Sequence, residues 1–183
     1  MTSLLRFEQV ALRRGGRLLF EELDFAIGPG EALQVAGPNG SGKSSLIRLA
    51  AGLLGAERGQ VERSPLALAD DNVALDSDLP LGRALRFWGG ATAQAMEALG
   101  IIHLAEVPVR LLSSGQTKRA GLARVLASGA QLWLLDEPLN ALDRDGAERL
   151  GRIIAEHLRN GGAILAASHQ PLPSEPAKLE LGA

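Results

Sequence analysis

The chain has 183 residues, 46% of them hydrophobic and 22% charged, which suits one domain with a buried core. Nineteen Lys and Arg against 21 Asp and Glu give a formal net charge of −2, and aromatic residues are only 3%. That combination lacks the basic face and stacking groups of a general nucleic-acid binder, and the absence of Cys excludes disulfides, Cys-ligated zinc and thiol catalysis.

The N-terminal stretch MTSLLRFEQV has no apolar run of signal-peptide length. Residues 4–12 and 18–27 read as strands around the turn Arg14-Gly15-Gly16-Arg17, and residues 31–36 as a third strand ending at Gly37. The run after Gly42 places Leu46, Leu49, Ala50 and Leu53 at helical spacing, with Gly55 as a stop. Residues 59–63 and 66–69 read as short strands, and 70–79, with four Asp, as a loop. Short helices are expected over 83–88 and 92–99, and a longer one over 116–127. Residues 131–135 and 163–167 are continuous apolar runs of the buried parallel-strand kind, on either side of a helix over 145–159. Residues 178–181 read as a last edge strand. The longest stretch without a charged side chain, 160–174, is interrupted by Gly, Ser, His, Gln and Pro, so no segment is expected to span a membrane. Alternating strands and helices predict an α/β fold with a mostly parallel sheet.

Gly37-Pro38-Asn39-Gly40-Ser41-Gly42-Lys43-Ser44, followed by Ser45, fits G-x-x-x-x-G-K-[ST] between a strand and a helix. Glycines let successive N–H groups converge on one oxyanion, and the helix N-terminus adds partial positive charge. Lys43 is expected to reach the β- and γ-phosphates and the Ser44 hydroxyl to take a Mg²⁺ position. Lys occurs only at 43, 118 and 178, which makes a chance match improbable. Asp136 and Glu137 end an apolar strand, at the sheet edge where α/β ligands sit. Asp136 suits a Mg²⁺ position, and Glu137 suits the polarisation of an attacking water.

Leu112-Ser113-Ser114-Gly115-Gln116 precedes that acidic pair, Ala141-Leu142-Asp143 follows it, and Ser168-His169 closes a later strand. With these motifs, residues 4–170 resemble an ABC-type ATPase, the nucleotide-binding subunit of ATP-driven transporters. The resemblance implies a P-loop NTPase fold with a mostly parallel core sheet, an N-terminal antiparallel β part and a reduced helical subdomain. The division implied is a core over 1–72 and 111–183, with the helical part over about 73–110. It also implies ATP and Mg²⁺ as ligands, a head-to-tail homodimer, an integral membrane permease as partner and a peripheral place on the cytoplasmic side of the inner membrane. The resemblance further implies that the signature Ser113, Ser114, Gly115 and Gln116 of one subunit completes the partner's ATP site, with Ser113 and Gly115 facing its γ-phosphate, and that His169 matches the switch histidine. Ser113 or Ser114 also reads as a plain helix cap.

Three positions depart from the family pattern. Ser114 stands where Gly is usual. Asn72 falls where a Mg²⁺-contacting Gln is usual, one methylene shorter, with Asp70 and Asp71 as adjacent candidates. The adenine-stacking aromatic is missing; Arg14 lies nearest, and its planar guanidinium could stack instead. The short length, the LRFW run at 85–88 and the run DEPLNALD are similar to the ATP-binding subunit of the cytochrome c maturation heme exporter. Leu85, Phe87, Trp88 and Met96 could dock the permease or pack the helical part; packing is the expectation for most of them. An ABC ATPase for another substrate, or a nucleotide-binding module with weak hydrolysis, remains open at this point.

Overall fold

The computed structural model describes residues 3–182. β1 (Leu5–Arg14) and β2 (Arg17–Ile27) form a hairpin, and β4 (Arg58–Arg63) joins β1 on its other side, giving a three-stranded antiparallel sheet. The second sheet is entirely parallel. It contains β3 (Ala32–Ala36), β5 (Leu66–Ala69), β6 (Leu132–Asp136), β7 (Ala163–Ala167) and β8 (Ala177–Glu180), in the order β5-β6-β7-β3-β8. The helices are α1 (Lys43–Ala50), α2 (Leu81–Arg86), α3 (Thr92–Ala98), α4 (Ser114–Ala127) and α5 (Arg144–Arg159).

The apolar runs explain the layering. Every residue of β6 and β7 is buried, as a strand covered on both faces requires. β6 alternates its side chains between two cores. Leu132 and Leu134 join α1, Val35 and the antiparallel sheet, where Phe7 stacks on Phe25 with ring centroids 4.5 Å apart. Trp133 and Leu135 join α4, α5 and the helical part. α1 ends sooner than the sequence pattern implies, because Gly52, not Gly55, takes the left-handed conformation that closes it (φ +77°). α2 starts at Leu81, two residues before the expected start, since Pro80 sets the entry geometry without needing an N–H.

Packing of the helical part divides the four residues considered above. Leu85 and Met96 are fully buried, in the core with α4. Phe87 and Trp88 are not core: they are 83% and 43% exposed, because α2 ends at Arg86 and the chain turns outward at Gly89-Gly90. The indole of Trp88 is fixed instead by its N–H, which donates to the Ala74 carbonyl (3.1 Å), and by the Arg124 guanidinium 4.7 Å from the ring centre.

The strand order puts β6, β7 and β3 side by side. Their C-terminal ends therefore bring Asp136-Glu137, Ser168-His169 and the loop after Ala36 to one edge of the sheet.

Candidate functional site

The loop from Gly37 to Gly42 joins β3 to α1. Gly37 has φ +141°, and a Cβ there would collide with the Leu181 carbonyl, so only glycine fits. α1 has no side-chain cap and no acidic residue in its first turn, which leaves its first N–H groups and its positive end for an anion. Lys43 is buried, and its ammonium donates to the carbonyls of Gly37 (2.8 Å) and Pro38 (3.0 Å). The Ser41 N–H donates to the Pro38 carbonyl (3.2 Å), while the Ser41 hydroxyl is buried with no protein partner. A glycine-bent loop that holds an ammonium at an uncapped helix N-terminus fits a phosphate-bearing ligand.

Above this loop lies an open cavity of about 800 Å³. Asn39, Gly40, Gly42, Lys43, Ser44 and Ser45 form its floor. Arg14 lines it too, with a guanidinium N–H directed at the Ser45 hydroxyl (3.4 Å). Glu137 and His169 form the opposite wall, with His169 Nε2 3.4 Å from a Glu137 carboxylate oxygen. Glu137 takes a left-handed backbone (φ +46°), unusual for a side chain of its size. Strain of order 1–3 kcal/mol is the usual cost of such a residue, and here its N–H still donates to the Ala167 carbonyl (2.8 Å) at the end of β7.

Asp136 is buried below that wall and accepts a hydrogen bond from the Ser44 hydroxyl (3.1 Å). Burial pushes its carboxyl pKa up; the Ser44 hydrogen bond and Lys118 pull it down, and Asp71 and Glu137 push it up again. A desolvated carboxylate beside a hydroxyl is a place for a small cation. Among the described residues no three His, Cys, Asp or Glu gather to cage a metal. An ion at Ser44 and Asp136 would therefore take its remaining ligands from phosphate and water, which suits Mg²⁺.

The signature residues lie elsewhere on the chain. Ser113 is the cap of α4: its hydroxyl accepts from the Gln116 N–H (3.3 Å), and the Gln116 side-chain oxygen accepts from the Ser113 N–H (2.9 Å). Ser114 is exposed at the first helical position. A second cavity of about 370 Å³ is lined by Ser113, Gly115, Gln116, Arg119, Ala141 and Asp143, among others. A Cβ on Gly115 would lie 2.7 Å from the Ala141 carbonyl, so this turn also requires glycine. No signature residue lines the phosphate cavity of its own chain.

Asn72 does not line the phosphate cavity either. Its N–H donates to Asp70 (3.1 Å) and its side-chain oxygen accepts from the Ala74 N–H (3.3 Å), which makes it part of a compact turn after β5.

Two residues at the site escape the sequence motifs. Asn140 lines the cavity, and its N–H donates to the Glu137 carbonyl (3.2 Å); the run after Glu137 could have pointed to it. Lys118 of α4 donates to the Asp136 carbonyl (3.0 Å), and Asp71, Asp136, Glu137 and Asp70 act on it. Its only signal in the sequence is that lysine is so rare here.

Residues 20–140 match the family model for the ABC transporter. The cytochrome c biogenesis ATP-binding export protein CcmA of Sphingopyxis alaskensis is 54% identical over 177 residues, 92% of this chain and 91% of that one. The protein of the same description from Novosphingobium aromaticivorans is 53% identical over 169 residues, 91% of this chain and 88% of its own. Among solved structures, the ATP-binding subunit of an ABC transporter superposes with a TM-score of 0.87 at 20% identity, over 98% of this chain and 86% of that one. A component of the cbiONQ transporter complex from Clostridium perfringens gives 0.74 at 24% identity, over 92% of this chain and 79% of its own. At those identities the two structures show the shared fold. The chain belongs to the ATP-binding subunits of ABC transporters, and within them to the family of the cytochrome c biogenesis ATP-binding export proteins.

Proposed function

We propose that this chain hydrolyses ATP with Mg²⁺ as a head-to-tail homodimer and drives an integral membrane permease in heme export for cytochrome c maturation. The observation that carries the reading is the shared cavity: phosphate loop, Glu137 and His169 line one space, with the Ser44–Asp136 pair directly below.

The loop amides and Lys43 bind the triphosphate, exchanging the Lys43 bonds to Gly37 and Pro38 for phosphate oxygens. Ser44 and Asp136 would hold Mg²⁺, whose charge would offset the negative charge that develops on the leaving diphosphate. Glu137 orients the attacking water and accepts its proton, and His169 donates to the γ-phosphate. Arg14, at the rim and with a flat cation, stacks on the adenine. The signature residues stand outside their own chain's phosphate cavity, which supports their action on the partner's nucleotide. Two sites then close when two copies meet, and hydrolysis reopens them.

No helix among the described residues is long and apolar enough to cross a membrane; in this reading the permease supplies the membrane-crossing part. The exposed side chains of Leu53 and Trp88 line a groove of about 260 Å³ between the β5 edge and α4, exposed Phe87 packs edge-on against Trp88, and Asn72 lies in the loop that follows β5. This surface, with Asn72 as relay, is the proposed seat of the permease, and it makes the chain a peripheral protein of the inner membrane.

The test is ATP turnover and nucleotide binding by the purified chain, with Lys43→Ala beside it. The wild type binds and hydrolyses ATP only with Mg²⁺, and Lys43→Ala loses at least about a hundredfold in turnover or affinity. Equal turnover in the two would defeat the assignment. Isolation of the membrane-bound complex, followed by identification of its permease, tests the heme branch; a permease of another substrate class would contradict it.

A further inference from the structure

We propose that Gln34, together with Ser168, is a buried positioning lock that aims His169 at the nucleotide cavity. Gln34 sits in the middle of β3, three residues before Gly37, and is only 4% exposed. A polar side chain there is costly unless fully hydrogen-bonded. It is fully bonded, and every partner belongs to the segment around His169. Its amide N–H₂ donates to the Ser168 carbonyl (3.1 Å) and to the Gln170 carbonyl (2.9 Å), the two backbone oxygens that flank His169. Its amide oxygen accepts from the Leu172 N–H (3.2 Å).

Ser168 tightens the same turn from inside. It is buried, its hydroxyl donates to the Gln170 carbonyl (2.8 Å), and it accepts from the Gln170 N–H (3.1 Å). The Ser168 N–H also donates to the Val35 carbonyl (3.3 Å). The imidazole of His169 is itself half-exposed, with Nε2 3.4 Å from one Glu137 carboxylate oxygen, while the His169 main-chain N–H donates to the other at 3.4 Å. Its direction is therefore set by the backbone beneath it, and that backbone is fastened to the strand that carries the phosphate loop. An apolar residue at position 34 would keep β3 but take this partner from the Ser168 carbonyl and the Leu172 N–H, and leave the Gln170 carbonyl to the Ser168 hydroxyl alone. The lock makes the phosphate loop and the imidazole one rigid unit, so a change at the phosphate reaches both together.

The proposal rests on His169 acting at the γ-phosphate, and the two ideas separate in one set of measurements. Steady-state kcat and KM for ATP are compared among wild type, His169→Ala, Gln34→Met and the double variant, each checked for folding by circular dichroism. Gln34→Met is expected to lower kcat about tenfold with KM within about twofold, since misaimed groups cost turnover more than binding. In the His169→Ala background it is expected to add no more than about a twofold loss, because it acts through that imidazole. A folded Gln34→Met with wild-type kcat, or a loss that multiplies fully with His169→Ala, overturns the lock. Wild-type turnover in His169→Ala alone overturns the role of the histidine, and the lock with it. If Gln34→Met does not fold, Ser168→Ala removes the lock's other half without touching β3. The same fall in kcat, and the same non-additivity, is expected of it; wild-type kcat there overturns the proposal.

Discussion

Four carboxylates converge near Lys118. Burial lowers the pKa of its ammonium, while Asp71, Asp136, Glu137 and Asp70 raise it. The effect on Asp136 is reciprocal: Lys118 lowers a carboxyl pKa that burial has raised. Asp136 can take Mg²⁺ only when ionised. As pH falls, it is protonated earlier than an ordinary carboxylate with a pKa of about 3.9, so the Mg²⁺ needed for turnover climbs early on the acid side. Lys118→Met removes one influence that keeps Asp136 ionised, so that acid limb moves to higher pH. Mg²⁺ titrations of ATP turnover across the acid limb in both proteins check this; coincident limbs would contradict it. At this scale the sequence was legible where chemistry runs in short motifs. Lys43, Ser44, Asp136, Glu137 and His169 come together as their motifs imply. Gln34 and Lys118 were not legible, because the partners of Gln34 lie 134 to 138 residues away and Lys118 contacts a backbone carbonyl.

Among elements, the parallel strands were the easiest to read. Both β6 and β7 are short apolar runs with no exposed face, and the structure keeps them within a residue or so of the expected spans. The outer elements were harder. Phe87 and Trp88 look like core by composition, yet they follow the end of α2 and project outward, which no periodicity in so short a helix reveals. The centrality of β6 gives a direct test. Leu134 is fully buried in the core between α1 and the antiparallel sheet, so Leu134→Ala should cost about 2–5 kcal/mol, read as a fall in the urea midpoint. A loss below about 1 kcal/mol would mean that the core there is loosely packed.

Beside their shared apolar core, α4 and the start of α5 are tied by ion pairs. Arg119, mostly buried on α4, pairs with Asp143 and with Asp145 (3.2 Å) at the start of α5, and it donates to the Leu99 carbonyl (3.2 Å). The Asp143 carboxyl is held below its ordinary pKa first by the Gly146 N–H and then by Arg119; Asp145 is held down first by Arg149. Depressed carboxyl pKa values contribute stability above the unfolded value of about 3.9, and that contribution is lost as pH falls through the folded values. Arg119→Met should therefore flatten the acid branch of the stability curve, measured by thermal unfolding at successive pH values. An acid branch identical to wild type would contradict the tie.

Taken as a whole molecule, the chain carries two half-sites facing different cavities. The phosphate loop, Glu137 and His169 line one; Ser113, Gly115 and Gln116 line the other. In the proposed function these halves meet across two copies in head-to-tail order, and turnover then depends on the pair. With the role proposed for Glu137, removing its carboxylate should leave nucleotide binding intact and halt the cycle at the closed stage. Sedimentation of Glu137→Gln with ATP and Mg²⁺ is the most direct measurement. A stable dimer with one ATP per chain, reverting to monomer on nucleotide removal, is the result expected; a folded protein that stays monomeric at saturating ATP would contradict the account.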